Sequence, residues 1–443
     1  MNSDLYRLTA SEILVKIKSN EVSVEDYATS LLQRIGLRDE AVQAWAHLDT
    51  AYVIEQAKAL DIIPPSERGP LHGVAIAYCT AFLSNGFADM PTGFNSPIYD
   101  DHAPQVDAGS IMVLRKAGAL ILGKTTTTEF AATTAGPKTH NPHDFNRTPG
   151  GSSSGTGAAV GDFQAPIGLG TQTGGSTIRP GSYNGIYAFK PTWNSITREG
   201  QKIYSLILDT LGLYARSVDD LELLADTFAI FDDSPAATDF SVQGAKFAFL
   251  KTMVWPSVGS GTTAALDKAI SLLRTHGAEV EEIVLPEHLN ELPTWHATVL
   301  ASEGRTAFLP EYTVAKAQLS AQLIGHVENS DKITRKAQLE AFDNIAMARP
   351  VVDKILSGYD AVITPSVPDE APLGIEKTGS AAFCLIWTAL HTPVVNVPGF
   401  QGEHGMPIGL SLVAPRYFDR HLLMVSKKVG EIFEAEGGWR SSL

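Results

Sequence analysis

Apolar positions along this chain follow two periods, and the change from one to the other marks its elements. Val24, Tyr27, Leu31 and Ile35 recur at helical spacing behind Ser23-x-x-Asp26, and Thr9-x-x-Glu12 has the same capping form. The pattern therefore predicts two amphipathic helices at the start and a third near 51–61. The β-type run 74–78 enters from a His-Gly turn, and with a helical stretch near 110–116 and an apolar run at 119–122 it makes a strand-helix-strand unit. Such a unit implies parallel strands. Further apolar runs at 165–169, 247–250, 361–363, 394–397 and 408–413 alternate with helical segments, one capped at Ser217 and another over about 263–275. The prediction is an α/β fold: a large, mixed, mostly parallel β-sheet covered by helices on both faces.

With 443 residues, 44% of them hydrophobic and 19% charged, the chain can bury a large core, and no Ser/Gly/Pro-rich linker or charge block divides it. A single domain over 1–443 is expected. The 34 basic and 49 acidic residues give a net charge of −15, which disfavours a nucleic-acid partner and points to a small-molecule substrate. The first residues carry Asp4 and lack the apolar run of a signal peptide, and nowhere do 18 apolar residues follow one another, so a cytoplasmic location without a membrane partner is expected. Two cysteines, Cys79 and Cys384, make neither a disulfide framework nor a zinc site; no metal and no cofactor is expected, and a homodimer is left open.

The segment 148–192, TPGGSSSGTGAAVGDFQAPIGLGTQTGGSTIRPGSYNGIYAFKPT, is where chemistry is to be sought. Eleven glycines lie between Gly150 and Gly185, and two Gly-Gly-Ser clusters let backbone turn tightly and approach a ligand. Gly151-Ser152-Ser153-Ser154-Gly155 satisfies the G-x-S-x-G pattern of a nucleophile elbow, but an elbow needs a strand before it and NRTPGG is none. A phosphate cradle fits no better, because no G-K-[ST] follows the glycines.

These motifs resemble the signature of the amidase signature family of serine hydrolases, which cleave amides without metal or cofactor. GKTTTTEFA at 123–131, NPHDFNRTPGG at 141–151, DAVITPSVP at 360–368 and the closing TPVVNVPG…MPIGLSLVAP extend the resemblance over nearly the whole chain. Family members use a Ser–Ser–Lys triad. The resemblance puts the nucleophile on Ser176 and the bridging serine, held by a cis peptide in the family, on Ser152, 24 positions earlier. Thr173, Gly174, Gly175 and Ser176 would form the oxyanion hole. Ser153 would hydrogen-bond within the motif, and Arg179 would order the loop through its fork of donors. Lys124 and Lys190 match structural positions of the family.

The family's base is missing. Its H-G-[IV]-P-[IV]-x-[VI]-K-D strand falls on residues 72–80, which puts Cys79 at the lysine and Thr80 at the aspartate, and no lysine lies between Lys58 and Lys116. A thiol side chain is about 3 Å shorter than lysine's and cannot reach Ser152 as lysine would. Three readings follow. The chain is an amidase-like hydrolase forming an acyl-enzyme on Ser176, with water or a substrate amine carrying the proton; or the scaffold performs acyl transfer, condensation or cyclisation; or it is a pseudoenzyme that binds a ligand. The residue types favour Cys79 as a small buried hydrophobe over Cys79 as a nucleophile, since no cation stands nearby in sequence to lower its pKa. The variable segments 196–215 and 290–345, with Tyr204, Leu206, Trp295 and Phe342, are expected to line the acyl pocket.

Overall fold

The computed structural model describes residues 4–79, 90–100, 102–233 and 239–443; Thr80 lies outside them. The predicted opening helices are Ala10–Lys18 and Val24–Val42. Thr9 and Glu12 form a reciprocal capping box, whereas Ser23 accepts from Asp26 N–H without the return bond. The third helix, Thr50–Asp61, is capped by Asp49.

Eleven strands form one sheet among the described residues: β1 (Trp45–Leu48), β2 (Ala75–Cys79), β3 (Leu120–Thr125), β4 (Ile167–Gln172), β5 (Tyr187–Lys190), β6 (Thr210–Ala215), β7 (Lys246–Leu250), β8 (Glu279–Ile283), β9 (Ala361–Pro365), β10 (Val394–Gln401) and β11 (Pro407–Val413). Their spatial order is β1-β3-β2-β4-β6-β5-β10-β11-β9-β7-β8. The sheet is mixed, as expected, but parallel pairs are not the majority. Four pairings (β2–β3, β2–β4, β7–β8, β7–β9) are parallel and six are antiparallel. The difference comes from the middle of the sheet, where β10 and β11 form a hairpin and β4, β6, β5 and β10 follow one another antiparallel.

The core lies on both faces. Along β2, Ile76 and Tyr78 pack into one apolar cluster with Leu213, Val395 and Leu412, while Ala75 and Ala77 pack into another with Val24, Leu31, Ala158 and Ala159. Helices therefore cover both sides, and strands such as β2 and β4 read as continuous apolar runs because neither face meets water. This burial fixes the end of β4, from which the Ser176 loop departs.

Candidate active site

β4 ends at Gln172 and the chain turns through 173–177 before the helix Ile178–Tyr183, so Ser176 sits in a strand-to-helix loop at the carboxyl end of a central strand. Such ends are where open α/β sheets place their ligands. Each carbonyl of this loop is held from outside. Thr173 O accepts from His296 Nε2 (2.8 Å), Gly174 O from Thr388 Oγ1 (2.7 Å), Gly175 O from Arg179 N (3.0 Å) and Ser176 O from Tyr214 OH (3.0 Å). Gln172 Oε1 accepts from the N–H groups of Thr177 (2.9 Å) and Ile178 (3.0 Å), which starts the following helix. The N–H groups of Gly174, Gly175 and Ser176 donate to no described residue. Ser176 is half-buried.

The Gly151–Ser152 peptide is cis. Ser152 is 2% exposed and its Oγ has no hydrogen-bond partner among the described residues, so a buried hydroxyl stands unsatisfied at the head of the helix Ser154–Gly161. Its backbone is pinned: Ser152 O accepts from Thr127 Oγ1 (2.9 Å) and Thr128 N (3.2 Å). Ser153 bonds across to β4 rather than within its own motif, accepting from Thr171 N (3.1 Å) and donating to Thr171 O (3.4 Å). Within the motif it is Ser154 that bonds, to Gly150 O (2.7 Å). Arg179, placed one turn after Ser176, sends Nε (3.2 Å) and Nη2 (2.6 Å) to Gly151 O and so ties the two serine motifs together.

Cys79 closes β2 and is fully buried; neither it nor Cys384 is in a disulfide. It pairs with Thr125, whose Oγ1 meets Thr156 Oγ1 (2.7 Å) on the helix Ser154–Gly161, so the register places Cys79 on the face that carries the Ser152 motif. It lies close enough to Tyr214 to act on that phenol, which burial pushes far up. Lys124 pairs with Tyr78 and points to the opposite face, donating to Met90 O (3.3 Å) and Thr92 Oγ1. Burial lowers it to about 7, against weaker attraction from Asp107 and Cys79. Lys190, fully buried, donates to Pro191 O and Thr392 O and is likewise lowered to about 7 by burial.

Sequence reasoning passed over His296 and Asp209. Asp209 Oδ1 accepts from Thr173 Oγ1 (2.6 Å) and Oδ2 from Tyr204 N (2.8 Å), and burial pushes its carboxyl up to about 6. Neither residue belongs to a motif, and contact across more than thirty positions leaves no local signal. The four expected pocket residues do not come together. Tyr204 stacks near Phe308 (5.2 Å) in an aromatic cluster with Phe94 and Phe130, Leu206 is 64% exposed, and Trp295 and Phe342 pack in a separate cluster. A cleft of about 540 Å³ lined by His47, Asn95, Tyr99, Thr126, Thr127 and Lys138 opens beside the Ser152 backbone. Another cleft, about 580 Å³, is lined by residues including Phe163, Tyr187, Arg216 and Trp439, and none of the Ser176 loop. No group of side chains suited to a metal occurs among the described residues, and no described helix is long and apolar enough to cross a membrane.

The family model Amidase matches residues 26–423. Among similar curated proteins are a Glutamyl-tRNA(Gln) amidotransferase subunit of Symbiobacterium thermophilum, 31% identical with 95% of each chain covered, and its counterpart in Acidothermus cellulolyticus, 30% identical with 98% of this chain and 95% of the relative covered. Among solved structures, an amidase superposes with a TM-score of 0.84 at 26% identity, covering 97% of this chain and all of the other. Another, from a vestigial protein complex bearing on the origins of an s-triazine catabolic enzyme, gives 0.86 at 25% identity, covering 98% and 100%.

Proposed function

Since this chain belongs to the Amidase family, we propose that it is an amidase-like serine hydrolase, one domain in extent, that cleaves a carbon–nitrogen bond of a small molecule through an acyl-enzyme on Ser176. The observation that carries this is the loop 173–176, whose carbonyls are all engaged while the N–H groups of Gly174, Gly175 and Ser176 have no acceptor among the described residues. Free donors beside a serine suit the negative oxygen of a tetrahedral intermediate, and such stabilisation is usually the largest catalytic term. Ser152, with its unsatisfied buried hydroxyl, takes the proton of Ser176 and passes it on. With cysteine at position 79, the final acceptor is water or an amine of the substrate itself. No cofactor takes part.

The test is covalent. Incubation with a fluorophosphonate, read by intact mass, should give one adduct that disappears in Ser176→Ala. Absence of an adduct, or its persistence in the variant, would count for a ligand-binding pseudoenzyme.

The names of the curated relatives favour a second reading, a subunit of an amidotransferase of several subunits, in which water still takes the acyl group and the amine released from the amide passes on to an acceptor. The net charge of −15 and the missing lysine weigh against it. Product analysis separates the two: a self-sufficient hydrolase releases acid and amine from the isolated chain, whereas a subunit needs its partner subunits for activity.

A further inference from the structure

We propose that His296 is a positioning residue of the oxyanion loop: by donating from Nε2 to the Thr173 carbonyl it sets the direction of the Gly174 N–H. The inference rests on the acyl-enzyme reading above. A trans peptide is planar, so its C=O and the following N–H point oppositely. Holding Thr173 O aims Gly174 N–H the other way; Thr388 on Gly174 O does the same for Gly175 N–H, and Arg179 N on Gly175 O does so for Ser176 N–H. Of these three, the His296 contact comes from the helix Leu292–Ala307, which carries no signature motif.

The surroundings fit the role. His296 is 1% exposed, and its acceptor is a carbonyl, which fixes the proton on Nε2. Burial lowers it to about 4, so the ring is neutral in ordinary buffers. Its Cε1 lies 3.9 Å from where a Cβ on Gly174 would stand, and Leu385 Cδ2 lies 3.1 Å from that point, so the ring packs close to the loop it holds. Thr173 is held a second time through its hydroxyl on Asp209. The loop is thus clamped at both its carbonyl and its side chain.

The experiment compares the second-order rate of Ser176 phosphonylation in the native protein and in His296→Met, His296→Asn and His296→Gln, with melting temperatures alongside. Gln places an amide donor near the native Nε2, Asn places it one bond short, and Met supplies none. Losing one oxyanion donor costs about 10²- to 10³-fold at full effect. With Asp209 still holding Thr173, a fall of about 10- to 10²-fold is expected in Met and Asn, with Gln near the native rate. If Met does not fold, Asn against Gln decides. Equal rates in all folded variants overturn the proposal, and so does an equal fall in Gln and Met. A native protein that takes no adduct overturns the acyl-enzyme reading itself and this role with it.

Discussion

The guanidinium of Arg179 closes on the carbonyl oxygen of Gly151 with two donors, Nε at 3.2 Å and Nη2 at 2.6 Å. Its Nη1 reaches Gly379 O, and among the described residues no carboxylate pairs with it. A 5% exposed cation neutralised only by carbonyl dipoles is costly, and burial lowers its pKa. What it gains is a rigid bridge between the nucleophile loop and the cis peptide before Ser152. Arg179→Met should leave the buried Gly151 carbonyl and the half-buried Gly379 carbonyl without this donor, costing about 1–3 kcal/mol, and slow Ser176 phosphonylation. Arg179→Lys, a point charge without the fork, should recover little of either. A native labelling rate in Arg179→Met would show that the two motifs do not depend on this bridge.

Installing the family's base tests what the site has become. Cys79→Lys puts an amine inside a fully buried strand end, which favours the neutral form a base needs. If the site is a hydrolase lacking its base, hydrolysis of aryl amides should rise by up to about 10²- to 10⁴-fold. The larger side chain should cost about 1–3 kcal/mol in overpacking. A site rebuilt for acyl transfer should instead lose its native activity, and unchanged activity in Cys79→Ala would mark the thiol as packing alone.

Gly175 has no room for a side chain. A Cβ there would meet Ala381 Cβ at 2.9 Å and Cys384 Cβ and Sγ at 3.0 Å, all on the rigid segment leading into the helix Ala382–Ala389. Gly175→Ala should push the loop away from that helix and reduce phosphonylation by an order of magnitude or more, on the order of one oxyanion donor. Pairing it with Ala381→Gly should restore part of the rate. Full labelling of Gly175→Ala would show that the loop has slack the packing does not suggest.

Stability should carry a pH signature from Asp419. Its carboxylate accepts from Thr192 N (2.7 Å) and Thr192 Oγ1 (2.6 Å), yet burial outweighs these bonds and pushes it up to about 6. Between the ordinary carboxylate pKa near 4 and about 6, the folded state binds this proton more firmly than the unfolded state. The contribution of Asp419 therefore falls as pH rises through that window and is flat above it. Asp209, also pushed up to about 6, acts in the same sense. Urea titrations at pH 4.5 and 7 should show a smaller acid-side advantage in Asp419→Asn than in the native protein; an identical difference would remove Asp419 as its source.

Much of the chain was written locally. Capping residues and helical periodicity placed the helices at Ala10–Lys18, Val24–Val42 and Val218–Thr227, because a cap and an apolar stripe are decided within one or two turns. The glycine-serine motifs located the site for a similar reason: close backbone approach requires glycine, and glycine is visible in sequence. β8 escaped because an edge strand reading Glu-Val-Glu-Glu-Ile buries only Val280, and β5 and β6 because short apolar runs do not declare their period. The share of parallel pairing was beyond the sequence, since strand direction depends on which strands become neighbours. So was the face of the sheet on which a residue stands: Cys79 pairs with Thr125 at the ends of adjacent strands while Lys124 pairs with Tyr78, and only the β2–β3 register, with its irregularity between Ile76 and Ala77, turns Cys79 toward the Ser152 motif and Lys124 away. The donors that hold the Thr173 loop, His296 and Thr388, lie more than a hundred positions from it. Partners so distant are chosen by packing, which leaves no trace in local pattern.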